Sequence, residues 1–170
     1  MQSFIRLVKK DLEENLIGKG LNLYITGHSL GGAMQSILCL ELEEIGVEYK
    51  ESYNFGSPRV GNLEFKRFYN NFKNQSNYRV INNNDVITRV PIGSIPIFKN
   101  GYFHVGREVY LNRQGKMYFP NPWESDQPKI GKWALFWDML LGRKRRLDQF
   151  RDHHIISGYG ARLKELAGLT

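Results

Sequence analysis

The stretch L-N-L-Y-I-T-G-H-S-L-G-G-A-M, from Leu21 to Met34, joins two opposite backbone habits with almost no linker. L-N-L-Y-I-T alternates as a short strand and stops at Gly27, whereas the residues from Leu30 to Ile45 are helix formers with no breaker until Gly46. Ser29 falls in the turn between them, inside a G-x-S-x-G pattern. A strand that becomes a helix within three residues must turn sharply, and Cβ atoms at Gly27 and Gly31 are expected to collide with the neighbouring strand and helix. Such a turn lifts the serine hydroxyl above the sheet edge, the arrangement of a nucleophile elbow. It also points the positive end of the helix dipole, and the free N–H of Leu30, at the place where an oxyanion would form.

The rest of the chain repeats the strand-to-helix alternation. An amphipathic helix from Ser3 to Leu16 comes first, with Phe4, Ile5, Val8, Leu12 and Leu16 on one face. After the elbow helix, whose first half is apolar nearly all round and so expected to be buried, V-E-Y-K-E-S-Y-N-F-G reads as a strand ending at Gly56. S-P-R-V-G-N turns into a helix from Leu63 to about Phe72, and Y-R-V-I-N is a third strand closed by N-N-D. Strand, helix, strand, helix, strand calls for parallel pairing with helices over the sheet, an α/β fold. Y-F-H-V-G-R-E-V-Y-L and K-M-Y-F read as a hairpin at a sheet edge, and a last helix is expected from about His154 to Leu166. At 170 residues and 41% apolar content, the chain is expected to form one domain over residues 1–170.

A serine is a weak nucleophile until a base takes its proton, and that base needs an orienting acid. On a fold of this type the acid and then the histidine follow the serine in chain order. Asp85, just beyond the third strand, fits the acid; an Asx turn or a surface pair with Arg89 would equally account for it. His153 and His154, just before the last helix, are both candidates for the base, and His154 is preferred because Tyr159 and Leu163 follow it at spacings that suit a packed helix face. His28, inside the elbow, is expected to point away as a packing residue, and His104 to sit in a strand. No H-x-H, H-E-x-x-H or C-x-x-C spacing appears, so a metal site is not expected. Cys39, the single cysteine, lies in an apolar run and reads as an inert core thiol.

Charge is concentrated late in the chain. Seven basic residues against two acids fall between Lys129 and Arg151, which accounts for five of the seven net positive charges. There Trp133, Phe136, Trp137, Leu140 and Leu141 precede Arg143, Lys144, Arg145 and Arg146. The segment reads as a buried helix with a solvated basic end, or as an interfacial helix resting on anionic lipid. A nucleic-acid partner is not expected, since no binding fold accompanies the basic run. No apolar run reaches the length of a membrane span and no secretory leader is visible, so a cytoplasmic location is the default expectation.

Four motifs in order, Y-I-T-G-H-S-L-G-G-A-M, Y-N-F-G-S-P-R-V-G-N, R-V-I-N-N-N-D-V-I-T-R-V-P and F-H-V-G-R-E-V-Y-L, give the chain a resemblance to the class 3 lipases, the fungal lipase-like group of α/β-hydrolases. The resemblance covers nearly the whole chain. It implies Ser29 as nucleophile, Asp85 as orienting acid and His154 as general base and acid, with hydrolysis of lipid carboxylic esters and no metal or organic cofactor. In that family the second oxyanion donor and the lid come from upstream of the nucleophile; with 28 residues before Ser29, the chain resembles the C-terminal part of the domain. Leu30 N–H then supplies half an oxyanion hole, and the alternative reading is a catalytically silent relative that binds anionic lipid surfaces.

Overall fold

The computed structural model describes residues 2–15, 19, 21–71, 76–91, 101–112, 114, 116–119 and 153–168. Four parallel strands lie side by side in chain order: β1 (Tyr24–His28), β2 (Glu51–Phe55), β3 (Asn77–Asn82) and β4 (Arg107–Leu111). β5 (Met117–Tyr118) pairs antiparallel with β4 and completes the expected hairpin at the edge. Between and around them run α1 (Gln2–Asn15), α2 (Leu30–Glu44), α3 (Leu63–Asn70) and α4 (Ile156–Ala167). This is the mostly parallel α/β sheet that the alternation predicts.

Element ends differ from the sequence reading where a local partner decides them. β1 runs through Gly27 to His28, because each of its residues pairs with β2 in register, Tyr24 with Glu51 through His28 with Phe55. α3 begins where the Asn62 side chain accepts a hydrogen bond from Phe65 N at 2.8 Å, satisfying one of the donors that a helix start leaves open. The segment before β4 is extended but joins the sheet system only through a bridge between Gly61 and Phe103, so His104 lies outside any strand.

Side chains alternate across the sheet and meet two cores of different character. On one face Val80 and Val109 pack with Leu111 and Tyr159, and Phe55, Tyr78, Leu163 and Leu166 surround them; this is the face under α4. The other core gathers Leu12, Ile25, Cys39, Leu42, Tyr49, Tyr69 and Val105 from α1, β1, α2, α3 and the segments that lead into β2 and β4. Between α2 and the sheet lies a polar layer: Asn54 donates to Gln35 at 3.2 Å, and Tyr49 and Ser52 both donate to the Asn77 side chain. Arg79 and its register partner Glu108 form an ion pair beside it, with Arg79 nearly fully buried.

α2 therefore does not start as a uniformly buried apolar helix. Gly32, Ala33, Gln35, Ser36, Cys39 and Leu42 form its inner face, while Leu30 and Met34 are exposed. Cys39 is buried as expected, and burial pushes its thiol pKa up, which suits an unreactive role. No described helix is long and apolar enough to cross a membrane. The aromatic and basic residues Trp133, Phe136, Trp137, Arg143, Lys144, Arg145 and Arg146 lie outside the described residues.

Candidate active site

The neighbouring strands β1, β2 and β3 end on the same side of the sheet, and each contributes a turn to the same small volume. β1 delivers Ser29, whose φ of 57° and ψ of −126° place a non-glycine residue in left-handed space. That geometry costs about 1–3 kcal/mol and persists only where the surroundings fix it. Here Ser29 N donates to Phe55 O at 2.9 Å, tying the turn to the end of β2, and Gly32 N donates back to Ser29 O at 2.9 Å as α2 begins.

The glycines around Ser29 are constrained differently from expectation. A Cβ at Gly27 would stand 2.3 Å from Gly31 O, so Gly27 must be bare for the helix to start where it does. A Cβ at Gly31 meets nothing within 4 Å among the described residues; the elbow does not need Gly31 for packing. The second tight position is Gly32, where a Cβ would stand 2.9 Å from Ser57 Cβ and 3.1 Å from Asn54 Cβ. The reason is helical: Gly32 lies on the inner face of α2, and Gly31, one residue earlier, turns outward.

β3 delivers Asp85. The chain leaves the strand through Asn83 in a left-handed conformation, Asp85 N donates to Asn82 O at 3.0 Å, and the carboxylate accepts from Ile87 N at 2.9 Å. The Asx turn is thus real, but the residue is no surface acid: it is fully buried. Its remaining lone pairs face the segment before α4. His154 Nδ1 lies 3.0 Å from Oδ1 and 2.9 Å from Oδ2, and Tyr159 donates its hydroxyl to Oδ2 at 2.6 Å. Across the ring, His154 Nε2 lies 2.9 Å from Ser29 Oγ.

Chemistry follows from these contacts. The Asp85 oxygens accept from Ile87 N–H and Tyr159 O–H, so the proton between Asp85 and His154 belongs on Nδ1. Nε2 then offers its lone pair to the Ser29 hydroxyl. A serine beside an acceptor that an acid orients is the arrangement that activates an oxygen nucleophile. His153 turns elsewhere: its carbonyl accepts from the Asn82 side chain at 3.1 Å, and its Nε2 lies 3.4 Å from Asn83 Nδ2.

Three neighbours escaped the sequence reading. Gly56, with φ 61°, lies under the meeting point of Asp85, His154 and Tyr159. Tyr159 is buried, and its hydroxyl also accepts from Asn82 N at 3.0 Å; burial, then the nearby Asp85 charge, push its pKa far above the usual range, so it stays a donor. His28 does not point away. Its ring lies against that of His154, centroids 4.9 Å apart, and its Nε2 lies 2.6 Å from His154 O. Only the five-residue step from His154 to Tyr159 hinted at any of this.

Behind the site, Arg59 staples the loop after β2 to the loop after β3. Its guanidinium donates to Arg89 O and to Pro91 O, and Arg59 N donates to Val90 O at 2.8 Å. His104 Nε2 meets Thr88 O from the other side. The two long motifs are therefore one laced structure, which holds Asp85 in place. Among the described residues no group of three or more His, Cys, Asp or Glu could hold a metal ion.

A mostly parallel sheet with a serine at a strained strand-to-helix turn, under helices on both faces, is an α/β-hydrolase fold. A mono- and diacylglycerol lipase from Aspergillus oryzae has the same fold, with a TM-score of 0.61 at 21% identity, over 78% of this chain and 50% of that one. The model of the family described as lipase (class 3) matches residues 1–94, and the chain belongs to that family. A lipase from Caenorhabditis elegans is 36% identical over 112 residues, covering 54% of this chain and 31% of that protein. A secreted mono- and diacylglycerol lipase from Fusarium solani is 38% identical over 91 residues, covering 52% and 24%. The chain thus spans about a quarter to a third of the length of these curated relatives.

Proposed function

We propose that the chain carries the catalytic core of a serine hydrolase for lipid carboxylic esters. The observation that carries the reading is the unbroken line Ser29 Oγ, His154 Nε2, His154 Nδ1, Asp85, with steps of 2.9 Å and 2.9–3.0 Å. As the Ser29 oxygen attacks an ester carbonyl, His154 Nε2 takes its proton, and Asp85 stabilises the resulting imidazolium. The oxygen left with negative charge forms beside the N–H of Leu30 at the start of α2. His154 returns the proton to the departing alcohol, leaving an acyl group on Ser29. Water, deprotonated by the same nitrogen, then releases the acid and restores the serine.

The relatives' names, mono- and diacylglycerol lipase among them, support an acylglycerol or related lipid as substrate. Contact with a lipid surface through Trp133, Phe136, Trp137 and the basic run Arg143, Lys144, Arg145 and Arg146 is proposed on sequence grounds alone. The test is hydrolysis of a p-nitrophenyl ester by the purified chain. Ser29→Ala and His154→Ala abolish turnover, and His153→Ala, folded equally well, leaves most of it. Equal rates for the wild type and Ser29→Ala would sink the reading.

A further inference from the structure

We infer that His28 is a positioning residue for His154, fixing the distance between the base and the nucleophile from the nucleophile's own strand. The inference rests on the proposed triad. His154 belongs to a segment 125 residues away from Ser29 in sequence, so some contact must hold the two in register. His28 is the immediate chain neighbour of Ser29 and touches His154 at the opposite end from the serine. Ser29 Oγ lies 2.9 Å from Nε2 at the ring tip, while His28 Nε2 lies 2.6 Å from the backbone carbonyl of the same residue.

Two consecutive residues of the elbow thus hold His154 at its tip and at its root. A carbonyl only accepts, so His28 Nε2 carries the proton and donates. The contact also fixes the attitude of the ring, since the two imidazoles lie 4.9 Å apart at 32°, and the Tyr159 ring meets His28 at 73° with centroids 5.8 Å apart. β1 cannot shift relative to the His154 segment without breaking this bond. A misplacement of about 1 Å between base and nucleophile costs on the order of 100-fold in rate, so a contact at this point affects turnover rather than substrate affinity.

His28→Gln and His28→Met test this in the full chain, because the two side chains match in length and only Gln keeps an N–H at the place of Nε2. The hydrogen-bonded Nδ1 proton of His154, followed by NMR on histidine-labelled protein, reports its seating without any need for turnover. In the wild type and His28→Gln this proton stays protected from exchange with water. In His28→Met it exchanges at least tenfold faster, and kcat on a p-nitrophenyl ester falls about 10- to 100-fold with KM unchanged.

Wild-type protection and kcat in His28→Met would overturn the inference. So would equal impairment of both variants, or a His28→Met chain that fails to fold where His28→Gln folds, since the ring or the packing would then be what matters. Absence of turnover, and of Ser29 labelling by a fluorophosphonate, in the wild type would instead defeat the proposed triad. The proton-exchange comparison would still decide the role of His28.

Discussion

Gly56 lies so close to Asp85 that a Cβ at position 56 would stand 2.6 Å from Oδ2. The same Cβ would stand 3.0 Å from His154 Nδ1 and 3.1 Å from the Tyr159 hydroxyl. A single added methyl therefore strikes the Asp85 carboxylate and two of its partners at once.

Gly56→Ala is expected to lose ester hydrolysis by about 100-fold or more, because the Asp85–His154 contact cannot form over the methyl group. The left-handed φ of 61° adds a stability cost of about 1–3 kcal/mol. Steady-state kinetics together with a urea denaturation curve separate the two effects. A variant with wild-type kcat would show that the three groups can move apart without consequence.

Tyr159→Phe removes one hydroxyl that serves two partners, the Asn82 N–H and the Asp85 carboxylate. Leaving a buried donor and a buried charge short of a partner is expected to lower stability by about 1–3 kcal/mol, with the ring packing kept. Turnover falls as well, since Asp85 is then free to tilt. Urea midpoints and kcat measured on the same preparations check both effects, and an unchanged urea midpoint would contradict the first.

His104 predicts a pH dependence of stability that has nothing to do with turnover. Burial, reinforced by the nearby charges of Arg79 and Arg59, holds its imidazole well below the usual histidine range, so the folded state keeps it neutral. Once unfolded it titrates near its ordinary value of about 6.5. Stability is therefore complete above that pH and declines as the pH falls through it, by no more than one proton's worth, about 1.4 kcal/mol per pH unit. Denaturation midpoints between pH 8 and pH 5 should show the decline, and His104→Gln should flatten it.

Periodicity and turn chemistry made the elbow legible, because Gly27, Ser29 and the breaker-free run after it lie within one short window. Asp85 was legible as a position, beyond a strand, but its burial was not, since an Asx turn on the surface has the same letters. His28 and Gly56 were hidden for a different reason. Each acts on a residue more than 25 positions away, His28 on His154 and Gly56 on Asp85, and neither helix nor strand periodicity reaches that far. The expectation that the first half of α2 is buried because it is apolar nearly all round fails at Gln35 and Ser36, polar residues that face inward where Asn54 on β2 offers them partners. Parallel strands usually show continuous apolar runs; the polar layer of Ser52, Asn54, Asn77 and Arg79 breaks them here.

The order of strands in the sheet divides the site into a near half and a far one. Ser29, Gly56 and Asp85 follow neighbouring strands of the sheet, whereas His154 returns across 69 residues from Asp85. Closing so long a loop is costly, yet each further doubling of its length adds only about 0.6 kcal/mol. The connection is not all loop, because β4 pairs with β3 along its whole length and brings Val109 and Leu111 into the core under α4. Changes of chain length between β3 and α4 are therefore cheapest outside these paired residues, and they leave Ser29, Gly56 and Asp85 on their neighbouring strands undisturbed.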